Sequence, residues 1–300
     1  MQGSAGRNLI ERMVVLFARI ASFGVAWSMV LGPVEQSPNR QALAEDRPAA
    51  RSRDGHRNWG PVRSTDSSID DRVQQLIARG LLETAEAWIV AESRDEPAGE
   101  DEAAAWNLRL SDVRTARALR MAEAPEEAWE AARSPVASSL AAYPNQSRAA
   151  WLRTQLAMIE LARGRALILE YLAAPQRLNA QQDGLAAMRS AIDRLRDETK
   201  SVDQLLIDTR RAEQTSIRLQ ELEALALQLE MSLIEGLLAR AEAYPAGSAD
   251  AFAAAGEALE RNGELMSRVA PGSPQAVTAL QLRARCHLAL ESPQEALQSL

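Results

Sequence analysis

The sequence predicts an all-α protein, a solenoid of helical hairpins with a central pair of long antiparallel helices. Three observations carry that expectation. Of 300 residues, 46% are apolar and 25% charged while only 4% are aromatic, which leaves a chain of Ala, Leu, Glu and Arg that is poor in strand formers. From Ile69 onward, proline falls at helix-length intervals, at Pro97, Pro125, Pro135, Pro144, Pro175, Pro245, Pro271, Pro274 and Pro293. Between these breaks apolar residues recur every three or four positions, the period of one helix face. The same composition excludes a β-sandwich or barrel, and a single cysteine excludes a disulfide scaffold.

Taken in order, residues 1–32 come first. Arg7, Arg12 and Arg19 stand against one acid, Glu11, ahead of the uncharged run Ile20 to Leu31. A basic stretch followed by twelve apolar-biased residues fits a secretory signal and falls short of the ~20 residues that span a bilayer. The segment is expected to be a signal peptide; uncleaved, it is a tilted membrane anchor with Arg19 reaching the cytoplasmic side, and a buried soluble helix is the third reading. Ala42-Leu43-Ala44 offers the small-x-small cleavage pattern, at some distance from the apolar run. Either of the first two readings places the protein in the periplasm or cell envelope. Residues 33–68 hold Pro33, Pro38, Pro48 and Pro61, mixed charges and few large apolar residues, and are expected to be a disordered linker.

The helical body is expected over residues 69–300. Asp70 to Ala78 and Leu82 to Glu92 read as two short helices across a turn at Arg79-Gly80. Val73, Leu76 and Ile77 form one stripe, and Leu82, Ala85, Trp88 and Ile89 another. Glu123-Ala124-Pro125-Glu126-Glu127-Ala128-Trp129 echoes Glu291-Ser292-Pro293-Gln294-Glu295-Ala296-Leu297, with Leu119 in the register of His287; the 168-residue offset is close to five units of about 34. Ala142-Tyr143-Pro144 likewise echoes Ala243-Tyr244-Pro245, each Tyr-Pro closing a helix and the serine behind it, Ser147 or Ser248, capping the next.

These units resemble the tetratricopeptide repeat (TPR) family, whose pattern places a small residue in the second helix, a helix-breaking turn about five residues earlier and often a proline after it. Ala85, Gly80 and Pro97 match in the first unit, Ala128 with Ala124-Pro125 in a second, and Ala296 with Ser292-Pro293 in the last. The family's Trp-x-x-Leu-Gly signature is absent, and the units are unevenly spaced. The resemblance covers about half of residues 69–300 and implies a right-handed superhelix whose concave face binds proteins or peptides, without naming a ligand.

Between Pro175 and Pro245 there is no proline, and Leu185, Met188, Ile192 and Leu195 and then Leu219, Leu222, Ala226, Leu229 and Leu233 keep heptad spacing. Two long helices are expected, Gln181 to Arg211 and Ser216 to Ala243, meeting at Glu213-Gln214-Thr215. The capping-box pattern Ser201-Val202-Asp203-Gln204 allows a rival turn at Thr199-Lys200. The heptads belong either to an elongated repeat or to a coiled-coil homo-oligomer. At the end, Leu280, Leu288, Leu297 and Leu300 make a stripe with no capping helix after it, which reads as a fragment of a longer repeat protein or as a surface for a partner.

A net charge of −7 argues against a nucleic-acid binder, which would need a basic face. Nearly all basic residues are arginine, Lys200 being the only lysine, and no arginine cluster is visible. Adjacent Cys286 and His287 point about 100° apart on a helix, which disfavours both a zinc site and a Cys-His nucleophile. Trp88, Trp106, Trp129 and Trp151 are either core or groove residues. Phosphate-binding loops, the Gly-x-Ser-x-Gly elbow and the His-Glu-x-x-His motif are absent, and no carboxylate pair stands out. The sequence therefore nominates no catalytic, cofactor-binding or metal-ligating residue, and it does not identify the residues that bind a partner. Its expected function is a non-enzymatic interaction scaffold for a protein or peptide; the alternatives are a coiled-coil self-association element and an accessory domain of a longer protein.

Overall fold

The computed structural model describes residues 65–93, 99–121, 123–211 and 216–299. The expected signal or anchor segment (1–32), nearly all of the expected linker, Pro97, the Glu213-Gln214-Thr215 junction and Leu300 lie outside the described residues. Among those described there are ten helices and no strand: α1 Thr65–Ala78, α2 Leu82–Glu92, α3 Glu100–Arg120, α4 Glu126–Ala142, α5 Ala149–Ala173, α6 Leu178–Arg211, α7 Ser216–Ala243, α8 Ala249–Arg268, α9 Pro274–Ala289 and α10 Pro293–Gln298. No helix among them is long and apolar enough to cross a membrane.

Each helix packs on the next in the chain, and the odd-numbered helices also pack in series: α1 on α3, α3 on α5, α5 on α7 and α7 on α9. The largest buried cluster runs from α5 to α9. A second, smaller one joins α1, α2 and α3 through Val73, Leu82, Ala85, Ile89, Trp106 and Val113. The apolar stripes of the first hairpin therefore face each other as their spacing requires.

The turns follow from local chemistry. Gly80, at φ +80°, ends α1 in the left-handed conformation, with Leu81 N–H donating to Leu76 O at 2.9 Å and Gly80 N–H to Ile77 O at 3.0 Å. Arg120 of α3 donates to the same Ile77 carbonyl at 2.7 Å, tying the turn to the next helix. Ser248 and Ser273 cap α8 and α9, accepting from Ala251 N–H at 3.2 Å and Ala276 N–H at 3.1 Å. Ser147 does not cap α5; its hydroxyl donates to Asp101 of α3 instead.

Pro135 corrects the punctuation rule. It lies buried inside α4 rather than ending it. A proline in a helix leaves the carbonyl four residues earlier without its N–H partner. Here that carbonyl, of Ala131, accepts from Arg114 Nη1 of α3 at 3.0 Å. The cost of the break is offset by a residue on another helix, 17 positions before the freed carbonyl, which no local pattern reveals.

The central helices correspond to the expected pair. Arg210 near the end of α6 meets Glu223 near the start of α7 at 2.8 Å, and Ile192 of α6 lies 3.2 Å from where a Cβ on Gly236 of α7 would sit, so the two run antiparallel. The rival turn at Thr199-Lys200 is absent because α6 continues through it. Between α4 and α10 the chain makes three helix pairs among the described residues, not five units of about 34, because α5 to α8 run 25, 34, 28 and 20 residues. Their close packing rests on glycine. A Cβ on Gly164 of α5 would lie 2.9 Å from the backbone oxygen of Gly184 on α6, and the reciprocal distance is also 2.9 Å. From Met231 to Ala239, α7 is buried at every position.

Candidate functional site

A pocket of about 100 Å³ opens where four helices meet. Its lining comes from the odd-numbered helices: Asp70, Val73 and Gln74 of α1; Ala105, Leu108, Arg109 and Asp112 of α3; Trp151, Thr154 and Gln155 of α5; Leu225 and Gln228 of α7. Arg148, immediately before α5, completes it. The α3 residues are spaced i, i+3, i+4 and i+7, which is one face of a helix, and Trp151 and Gln155 repeat the four-residue step. The pocket follows from four helical faces that converge where the odd-numbered helices pack in series.

Its electrostatics are organised around two carboxyl groups. Arg109 is buried, donates through Nε to Asp70 Oδ1 at 2.6 Å, and lies over the Trp106 ring at 4.7 Å. Trp106 in turn meets Trp88 edge to face at 6.4 Å. Gln155, also buried, donates from Nε2 to Asp112 Oδ1 at 2.7 Å and to Ser111 Oγ at 3.3 Å. Asp112 keeps some solvent contact but is walled by protein, and burial pushes its carboxyl up to about 8. The Gln155 hydrogen bond and Arg109 act the other way, and nearby Asp70 adds to the rise. At pH 7 the Asp112 carboxyl is therefore mostly neutral.

Buried charge continues along the odd-numbered helices. Glu235 of α7 is raised by burial against the opposing pull of Arg165 of α5 and Arg285 of α9, and Arg285 donates to Glu242 of α7 at 3.2 Å. Cys286 is fully buried in the main cluster, and burial pushes its thiol up to about 12, which makes it an inert packing residue. Among the described residues no group of three or more His, Cys, Asp or Glu is placed to hold a metal ion.

Sequence reasoning singled out none of Arg109, Asp112 or Gln155. The available signal was two charges, Arg109 and Asp112, within the stripe of an otherwise amphipathic helix. The tryptophans divide: Trp106 and Trp129 are buried in the packing, Trp88 is half-buried against Trp106, and Trp151 lines the pocket. Of the expected open stripe, Leu280 is half-buried, while Leu288 is 51% and Leu297 76% exposed. No family model, no curated protein and no solved structure matches the chain.

Proposed function

We propose that this protein is a non-enzymatic interaction scaffold, a TPR-like solenoid that holds a segment of a partner protein against the surface of its odd-numbered helices. The observation that carries the reading is the origin of the pocket: α1, α3, α5 and α7 line it together, while the even-numbered helices stand behind them. That is how a stack of hairpins builds a continuous binding face. The TPR resemblance supplies the same expectation from sequence. The heptad seams of α6 and α7 are filled within the chain, Met188, Ile192, Leu195, Leu222, Leu229 and Leu233 all lying in one intramolecular cluster, which favours an elongated repeat over a coiled-coil oligomer. The N-terminal segment makes an exported or envelope-tethered location part of the proposal.

Site-specific photocrosslinking in the source cell tests the reading. A benzophenone side chain at Gln74 or Gln228, in the pocket face, is expected to give discrete adducts; the same group at exposed Glu127 of α4 or Asp193 of α6 is expected to give none. Adducts from the even-numbered helices alone would overturn the assignment of the face.

A further inference from the structure

Taking the odd-numbered face as the binding surface, we propose that its pocket receives one uncharged carboxamide side chain of the bound polypeptide, a glutamine, whose amide pairs with those of Gln74 and Gln228 and whose methylenes lie along Leu108, Trp151 and Leu225.

The pocket has the size of one side chain. A water position needs roughly 10–15 Å³, so about 100 Å³ holds a handful of heavy atoms, far below the ~300–1,000 Å³ of a small-molecule site. Leu108 of α3, Trp151 of α5 and Leu225 of α7 give an apolar wall for a slender stem.

The charges of the lining are matched among themselves and select no ion. Two arginines and two carboxyls border the pocket. Arg109 is paired with Asp70 at 2.6 Å and stacked on Trp106, and Arg148 has a partner of its own. Asp112 is held as a mostly neutral acid at pH 7. An ammonium or a carboxylate entering this ring would give up its water and meet charges already engaged with one another, which is unfavourable for either sign.

The unengaged polar groups are amides. Of the three glutamines in the lining, Gln155 donates to Asp112 at 2.7 Å and to Ser111 at 3.3 Å, whereas the half-buried Gln74 of α1 and Gln228 of α7 make no side-chain hydrogen bond among the described residues. A carboxamide carries a donor and an acceptor side by side and is therefore complementary to another carboxamide. An apolar side chain of the same size would cover these amides and leave them without water or partner, and a site with polar groups in place discriminates against such an analogue. Asp112 fits the same occupant in both of its forms: the neutral acid donates its O–H to the amide oxygen, and the carboxylate accepts from the amide N–H. Binding of a glutamine therefore changes little with pH, whereas binding of an ammonium would strengthen and of a carboxylate weaken as Asp112 ionises near pH 8.

The test uses the full chain labelled with 5-fluorotryptophan, the Trp151 resonance being assigned by Trp151→Phe, and titrated with Nα-acetyl-glutaminamide. Nα-acetyl-norvalinamide serves as the apolar probe, Nα-acetyl-lysinamide as the cationic one and the α-amide of Nα-acetyl-glutamate as the acidic one. The expected result is a saturable shift of Trp151 by the glutamine probe, about tenfold or more tighter than by the other three. Its affinity should agree within about twofold between pH 6.5 and pH 8.5, survive in Asp112→Asn, which keeps a donor and an acceptor, and be lost in the double variant Gln74→Met, Gln228→Met. Both methionines keep the length of the side chain at half-buried positions, and urea unfolding midpoints verify that the double variant is folded. Equal binding of the norvaline probe, preference for either charged probe, a pH response beyond about tenfold, retained binding in the double variant, or no shift with any probe would each overturn the glutamine assignment. The binding face itself would still stand or fall on the crosslinking contrast between odd-numbered and even-numbered helices.

Discussion

The block α5 to α7 and the block α1 to α3 are stabilised by different physics. In the first, Leu152, Leu161, Met188, Ile192, Leu195, Leu229 and Leu233 are fully buried, and backbones approach until glycine is required. In the second, Ile89 is the one side chain among the largest fully buried, and the contacts are Arg109 on Asp70 and Trp106, Arg72 over Trp88 at 5.0 Å, and Arg114 with Arg117 on Glu86. Dispersion and area burial give rigidity that is indifferent to salt and pH. Paired charges at partial burial give contacts that respond to both. The pocket lies where the two regimes meet, with its responsive wall on α1 and α3 and its fixed wall on α5 and α7.

The sharpest break in the comparison is a single methyl group. Gly164→Ala or Gly184→Ala forces a Cβ to within 2.9 Å of a facing backbone oxygen, which nothing can move aside cheaply, and is expected to destabilise by about 3 kcal/mol. Urea unfolding midpoints measure this; an unchanged midpoint would mean that α5 and α6 do not touch backbone to backbone.

Next in size is the pH response of the pocket. The folded state holds the Asp112 proton up to about pH 8, while the unfolded chain releases it near its ordinary value of 3.8. Between those values the native state binds more protons, so stability falls as pH rises, by up to about 1.4 kcal/mol per pH unit for one group. Asp112→Asn is expected to flatten the stability slope between pH 5 and pH 7 by one proton's worth. Parallel slopes in the two proteins would remove Asp112 from the responsive region.

Arg114→Met is expected to cost about 1–2 kcal/mol, because Ala131 O loses its donor and Glu86 one of its two partners. In a Pro135→Ala background, where the helix supplies its own N–H, the loss should shrink, and a double-mutant cycle reads the coupling. Additive losses would show that the guanidinium does not compensate the proline.

How much of this was legible in the sequence depends on whether the cause and its compensation lie close together along the chain. The Arg79-Gly80 turn, the Ser248 cap and the long pair α6 and α7 are written in consecutive residues, and local propensity reads them. Pro135 misleads because Arg114 sits on another helix. Gly164 and Gly184 look like weak helix positions, since their use appears only when α5 faces α6. The pocket was illegible for the same reason: Asp70, Asp112 and Gln155 are ordinary surface-type residues until four separate faces converge. The 34-residue period failed because a short echo, Glu123–Trp129 with Glu291–Leu297, marks two helix starts and says nothing about the helix lengths between them.

The smallest effect is the control for the largest. Gly263→Ala on α8 meets nothing within 4 Å, so it is expected to stabilise by up to about 1 kcal/mol through helix propensity alone. The same substitution then has opposite signs in two helices of one protein, and loss of that contrast in the measured midpoints would erase the distinction between tight and loose packing.

The burial of α7 from Met231 to Ala239 also bears on how the protein is made. A helix with no solvent-facing side needs neighbours from both directions along the chain, and two of them, α8 and α9, are encoded after it. While residues 244–289 are being synthesised, one flank of this stretch, buried at every position in the folded protein, has no cover. At about 5–20 residues per second that interval lasts roughly 2–9 s, long compared with the microseconds in which such surfaces collapse. The nascent chain is thus most vulnerable to aggregation just before α8 and α9 emerge, when the part that will become its most rigid region is still its stickiest.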